Sequence, residues 1–145
     1  MVSLTIRLDA KNTVLGMTWP AHYPKGCPPA DAMDADGQFY RFVSNDPPQG
    51  DDFLSLRQLN PRRTYPDVAT ECQSCGLSLL QDASDAKRMK SRIPAFRNKL
   101  VAIGALRPDC GRVLPTPSRS STSHHTWWVP EELIDPSPLF VVTTV

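Results

Sequence analysis

The sequence predicts a small α+β domain: a mainly antiparallel, twisted sheet with one or two short helices and long Pro-rich loops. Three observations predict it. Strand-like segments lie towards both ends of the chain, one clear helix-period segment lies between them, and prolines interrupt the rest. There are 15 prolines in 145 residues, about twice the usual share of roughly 5%. Each one fixes φ and removes an N–H, which keeps elements short. The length suits a single globular domain over residues 1–145. Apolar content of 40% and charged content of 21% are close to globular averages, so wholesale disorder is not expected.

Taken in order, Leu4, Thr5, Ile6, Arg7 and Leu8 alternate apolar and polar residues, as a half-buried strand does. Lys11 and Asn12 form a turn, and residues 14–19 return as the second strand of a hairpin. Residues 21–37 are rich in Pro, Gly, Asp and Ala and read as an ordered loop with a helical turn near 30–33. Residues 38–43 (Gln-Phe-Tyr-Arg-Phe-Val) form the clearest strand, with Phe39, Arg41 and Val43 on one face and Tyr40 and Phe42 on the other. Residues 51–59 place Phe53, Leu56 and Leu59 at helical spacing, and residues 62–70 form a loop. Leu77, Ser78, Leu79 and Leu80 are a strand. Ser84 caps a helix with Ala86, Met89 and Ile93 on one face, and Pro94 stops it. Residues 99–106 and 112–114, joined by a turn at Pro108–Gly111, form a second hairpin, and residues 139–145 are the last strand.

The net charge of +1 argues against a strong field for nucleic acid or membrane. Charge is nevertheless uneven. Nine Lys/Arg and a single acid, Asp109, lie between Lys87 and Arg119, which gives nucleic-acid binding through the basic helix some support. The N-terminal residues lack the pattern of a secretory signal, and no apolar run is long enough to span a membrane. The expected setting is therefore cytoplasmic, without membrane association, and the four cysteines are expected to be reduced thiols.

Several constellations carry chemistry. His124, His125, Thr126, Trp127 and Trp128 are consecutive. In a strand, His124, Thr126 and Trp128 share one face, and His125 and Trp127 the other. A histidine beside an aromatic wall serves as a general acid or base near neutral pH. Arg41, beside Tyr40 inside a strand, needs an acceptor. The carboxylates of Asp51 or Asp52 would supply an internal partner, and a ligand phosphate would supply an external one. Asp52 and Ser55 stand three apart, as neighbours on a helix would. Cys72 and Cys75 are half of a zinc-ribbon pattern, and Cys110 with either histidine does not complete it at any standard spacing, so no metal is expected. The phosphate-loop, dinucleotide, nucleophile-elbow and zinc-protease motifs are missing, and no cofactor is called for.

An aromatic-Arg strand (Tyr40, Arg41), then a Gly-Leu-Ser strand (Gly76, Leu77, Ser78), then a helix entered through Asp85 and Ala86 resembles the order of elements in small ADP-ribosyltransferase-type domains. The resemblance covers about half the chain. It implies that Arg41 and Ser78 help bind NAD, with transfer by a later Glu. The Glu-x-Glu of that family is missing, because Glu131 and Glu132 are adjacent.

Two functions follow. One is an interaction module that binds a protein partner through an aromatic and basic surface anchored by Trp127 and Trp128. The alternative is a small enzyme acting on an anionic, nucleotide-like substrate. In it Arg41, His124 and His125 are the catalytic residues, and Tyr40, Asp52, Ser55, Ser78, Trp127 and Trp128 bind the ligand.

Overall fold

Seven strands carry the described part of the chain. A computed structural model describes residues 17–145. The strands are β1 (Met33–Asp34), β2 (Gly37–Val43), β3 (Leu77–Leu80), β4 (Leu100–Leu106), β5 (Arg112–Pro115), β6 (His124–Trp128) and β7 (Phe140–Thr143). The helices are α1 (Leu56–Leu59), α2 (Val68–Cys75) and α3 (Ala83–Arg92), with several single 3₁₀ turns. The strands form one sheet in the order β1-β5-β6-β3-β2-β4-β7. Every neighbouring pair is antiparallel. This is the α+β class expected.

The sheet is unevenly joined. β2 and β4 pair over seven residues, from Gly37↔Leu106 to Val43↔Leu100. β3 and β6 pair over four, from Leu77↔Trp127 to Leu80↔His124. Between these two blocks, β2 and β3 share a single pair, Tyr40↔Leu80. The sheet therefore splits at its centre.

Alternation along the strands sorts the core. Phe39, Val43, Leu77, Leu79, Ala102, Trp127 and Phe140 pack on one face. Leu80, Ala86 and Val101, with Tyr40, Phe42 and Met89, pack on the other under α3. A third cluster holds Trp128 against Cys27, Cys72 and Cys75. Two glycines permit close approach. A Cβ on Gly76 would collide with the Thr126 methyl. Gly111 has φ of +122°, and a Cβ there would strike the Trp128 carbonyl.

Several expectations change. A short strand, β1, forms inside the expected loop 21–37, and α3 begins at Ala83 after Asp82, ahead of the expected Ser84 cap. The second hairpin does not form: β4 already has β2 and β7 on its two edges, so the 3₁₀ turn at Pro108–Cys110 carries the chain away to pair β5 with β1 and β6. Residues 62–70 are not all loop. Asp67 accepts from the Thr70 amide at 2.7 Å and starts α2, which runs through the Cys-x-x-Cys segment. The segment 51–59 breaks into a 3₁₀ turn (Gly50–Phe53) and α1, because Ser55 is extended and caps α1 instead of continuing a helix. The cysteines are not all reduced, since Cys27 and Cys72 form a disulfide and Cys75 and Cys110 are free. The first hairpin lies outside the described residues, apart from Met17–Trp19, which are irregular. No helix among the described residues is long and apolar enough to cross a membrane.

The disulfide joins residues 45 apart in sequence and ties the segment before β1 to α2. Closing a loop of that size in the unfolded chain is worth about 4 kcal/mol on the chain-entropy account. Reduction, or the double variant Cys27→Ser/Cys72→Ser, is expected to lower stability by about 3–4 kcal/mol, read as a shift in urea midpoint at constant slope. Alkylation of the denatured, unreduced chain should label Cys75 and Cys110 alone. Labelling of all the cysteines would show that the bridge does not form.

Candidate functional site

The split between β2 and β3 opens a cleft of about 580 Å³. That volume falls in the range of small-molecule sites. Its floor is Tyr40, Arg41, Phe42, Leu77, Ser78, Leu80, His124 and Thr126, and its walls are Leu54, Ser55, Leu56, Leu59, Tyr65, α2 residues Thr70, Gln73 and Ser74, and Met89, Phe96 and Lys99. Arg41, Arg63 and Lys99 line it, and among the described residues no Asp or Glu does.

Arg41 reaches across the split. Its Nη1 donates to the Ser78 carbonyl at 2.8 Å. Nε and Nη2 both donate to the Asp52 carbonyl, at 3.0 and 2.8 Å. Its guanidinium also lies 5.3 Å from the centre of the Phe53 ring. The expected ion pair with the Asp52 carboxylate is corrected, since Arg41 uses the main-chain oxygen of Asp52. The Asp52 carboxylate instead accepts from the Ser44 amide at 2.7 Å, the Gln49 amide at 2.9 Å and Asn45 Nδ2 at 3.0 Å. Burial opposes its charge, but these hydrogen bonds outweigh that and hold its carboxyl below the usual range. Burial lowers the Arg41 guanidinium to about 10, against the favourable field of Asp52. Arg41 thus lines the cleft with two N–H groups unused and no carboxylate bonded to it.

His124 enters from β6. Its Nδ1 lies 3.1 Å from the Thr116 carbonyl and 2.9 Å from Thr116 Oγ1. With the hydrogen on Nδ1, the ring donates to the Thr116 carbonyl and Nε2 carries the lone pair. Thr116 Oγ1 also meets Thr126 Oγ1 at 2.9 Å, which extends the hydrogen-bonded chain along the cleft floor. Burial, the larger effect, lowers the His124 pKa below its ordinary value, His125 adds to this, and the Thr116 carbonyl opposes it. The ring is therefore a neutral base at neutral pH.

The loop before His124 is strapped to α3 through Asp85. The buried Asp85 carboxylate accepts from Ser121 Oγ at 2.9 Å, Ser123 Oγ at 2.6 Å and the Ser123 amide at 3.1 Å, and it pairs with Arg88. These hydrogen bonds, Ser123 first, hold its carboxyl well below the usual carboxylate range despite burial. The position of His124 thus depends on Asp85.

The other site residues separate. Tyr40, Ser55 and Ser78 line the cleft with Arg41 and His124. Ser78 is exposed. Ser55 is buried and works as a helix cap, its Oγ accepting from the Gln58 amide at 3.1 Å. Asp52 caps a turn beside the cleft, so it does not pair with Ser55. His125 points to the opposite face, its ring 5.3 Å from Phe39 and its Nδ1 2.8 Å from the Ser123 carbonyl. Both indoles are core: Trp127 and Trp128 are 0% and 1% exposed, and their N–H groups donate to the carbonyls of Cys110 and Cys72. The expected surface anchoring by Trp127 and Trp128 is therefore corrected: Trp128 is packed under the disulfide, because α2 covers it. Much of the basic segment is already engaged. Arg88 pairs with Asp85, Arg107 with Asp109 and Arg112 with Asp34, while Lys90 donates to the Arg97 and Lys99 carbonyls. Glu132 accepts from the Thr18 amide and Glu131 is exposed, and neither lines the cleft.

Sequence reasoning missed Tyr65. Its ring lines the cleft wall, with the guanidinium groups of Arg57 and Arg63 at 5.4 and 5.3 Å from the ring centre. Its hydroxyl is buried and has no hydrogen-bond partner among the described residues. An unsatisfied buried hydroxyl costs about 1–3 kcal/mol. The run Arg62, Arg63, Thr64, Tyr65 was a signal of cation–aromatic packing that a loop assignment hid.

No protein-family model, curated protein or solved structure matches the chain.

The strap makes stability depend on acid. Asp85 has a depressed folded pKa against about 3.9 unfolded. Its contribution is therefore complete above the unfolded value and fades as pH falls from there towards the folded one. Thermal melts from about pH 7 down to about pH 2 are expected to show a loss setting in near pH 4. Asp85→Asn should be less stable at neutral pH and flatter below pH 4. Parallel curves would assign the acid sensitivity elsewhere.

Proposed function

We propose that this chain is a small enzyme acting on an anionic, nucleotide-like substrate held in the cleft at the sheet split. The observation that carries this reading is Arg41: a poorly solvated guanidinium with unused N–H groups, bonded to carbonyls alone, lining a cleft with no carboxylate among the described residues. Desolvated cations of this kind gain from an incoming anion far more than surface ones do. The apolar walls, Leu54, Leu56, Leu59 and Phe96, suit a base or sugar face.

The arrangement supports a stepwise role for each group. Arg41 holds a phosphoryl oxygen, and Ser78 lines the same cleft. His124 Nε2 takes the proton from a water or alcohol as its oxygen bonds to the electrophilic centre, and the bond to the leaving group breaks. The imidazolium then returns that proton to the leaving oxygen or nitrogen. Hydrolysis or transfer at a bond next to a phosphoryl group fits this division of labour. ADP-ribosyl transfer in the manner of the resembled family needs a carboxylate, and the cleft has none, so the base here is a histidine. A protein-binding module anchored on Trp127 and Trp128 is not favoured, because both indoles are buried. The cytoplasmic setting is not carried forward either, since a persistent disulfide fits an oxidising compartment.

The test is a panel of adenosine and guanosine phosphates and NAD, followed by calorimetry for binding and chromatography for turnover. Arg41→Lys should weaken binding about tenfold or more, because Lys cannot make the fork. His124→Gln should bind normally and lose about 10²–10⁴ in turnover. Because the active form of His124 is deprotonated and its pKa lies below 6.5, the rate should be flat at neutral pH and fall on acidification. Binding that ignores Arg41, or turnover that survives His124→Gln, would refute the assignment.

A further inference from the structure

The cleft has a second polar feature that the Arg41–His124 pair does not use. Tyr65 lies on its wall, remote in sequence from both. The hydroxyl is sealed from water yet makes no hydrogen bond among the described residues. Two guanidinium groups rest on the ring, Arg57 at 5.4 Å and Arg63 at 5.3 Å from its centre. They differ in what holds them. Arg57 is tied down, its Nη1 donating to the Arg63 carbonyl at 2.6 Å and its Nη2 3.6 Å from Glu71. Arg63 is exposed, lines the cleft, and forms no ion pair among the described residues. Tyr65 and Arg63 line one cleft with no carboxylate among the described residues, and once Arg63 moves and uncovers the hydroxyl, the phenol and guanidinium match the oxygens of a phosphoryl group.

We infer that Tyr65 and Arg63 form a second phosphoryl subsite, with Arg57 holding the ring in place, so that the substrate carries two anionic groups. This rests on the cleft reading above and deepens it: Arg41 takes one group at the split, and Tyr65 takes the other at the wall. Arg63 moves off the ring to grip the anion, and the Tyr65 hydroxyl gains there the partner it lacks within the protein. A group kept unsatisfied until ligand arrives is expected to lower stability and raise affinity, so its removal should move the two in opposite directions.

Inorganic phosphate is the probe, because it needs no assumption about the rest of the substrate. Titration of the isotope-labelled chain, followed by amide shifts, should perturb two separate groups of residues, one around 63–65 and one around Arg41 and Ser78. Tyr65→Phe should weaken the first response about tenfold, leave the second unchanged, and melt no lower than wild type. Arg63→Gln should do the same to binding. Perturbation around Arg41 and Ser78 alone would overturn the second subsite and leave the cleft reading standing. Perturbation around 63–65 alone would support the subsite and remove Arg41 as an anion site. No response at either place would overturn both. A Tyr65→Phe chain that melts lower and binds normally would make Tyr65 a packing residue and end the proposal.

Discussion

The structure depends on one fork of hydrogen bonds. Arg41 on β2 donates to the Ser78 carbonyl on β3, across a junction with only one residue pair, Tyr40↔Leu80, and to the Asp52 carbonyl in the 3₁₀ turn Gly50–Phe53. Without the fork the part-buried Asp52 carbonyl would lose its donor, a costly state for a main-chain group. With it, the sheet can split without unravelling. The fork thus replaces several rungs of a ladder, and the space left by those rungs is the cleft. The residue that closes the fold is also the residue that charges the site.

Electrostatics follow from where the acids are spent. Asp52 caps the 44–49 turn, Asp85 straps the loop before His124, Asp67 caps α2, Asp34 and Asp109 pair with arginines, and Glu71 pairs with Arg57. Each is committed to structure outside the cleft lining. Arg41 and Arg63 are left inside it. The near-neutral net charge of the chain therefore hides a cleft of one sign. A charge total could not reveal this, because the separation is spatial and not sequential.

What the sequence made legible were features set by local alternation. The strand through Tyr40 and Arg41, the Leu-Ser-Leu-Leu strand, the helix before Pro94 and the two faces of His124–Trp128 all follow from period and stop signals. Pairing was not legible. The turn at Pro108–Gly111 looks like a hairpin from within, and only the prior claims of β2 and β7 on β4 forbid it. In the site, Arg41, Ser78 and His124 could be marked as chemically able, and all three line one cleft, although strand alternation puts Arg41 on the opposite face from Ser78 and His124. Trp127 and Trp128 drew attention for rarity, but rarity does not distinguish a binding anchor from a core filler. The answer lay in α2, whose start at Asp67 was hidden behind prolines and arginines. The Cys-x-x-Cys segment read as reduced thiols, whereas Cys72 bonds back to Cys27.

The order of strands in the sheet also bears on how the chain comes to be active. β2 finds its long partner only at residues 100–106, β1 waits for 112 and 113, and β3 waits for His124–Trp128. Few of these contacts are local, and chains dominated by distant pairings fold slowly because loop closure precedes any gain. His124 lies in the strand that completes the block holding Ser78. During synthesis the floor of the cleft therefore cannot exist until most of the described chain has been made. A chain ending before residue 77 would present Arg41 on a strand with neither of its neighbours β3 and β4, without the Ser78 carbonyl and without His124. The topology itself keeps the cleft unformed until its last strand is made.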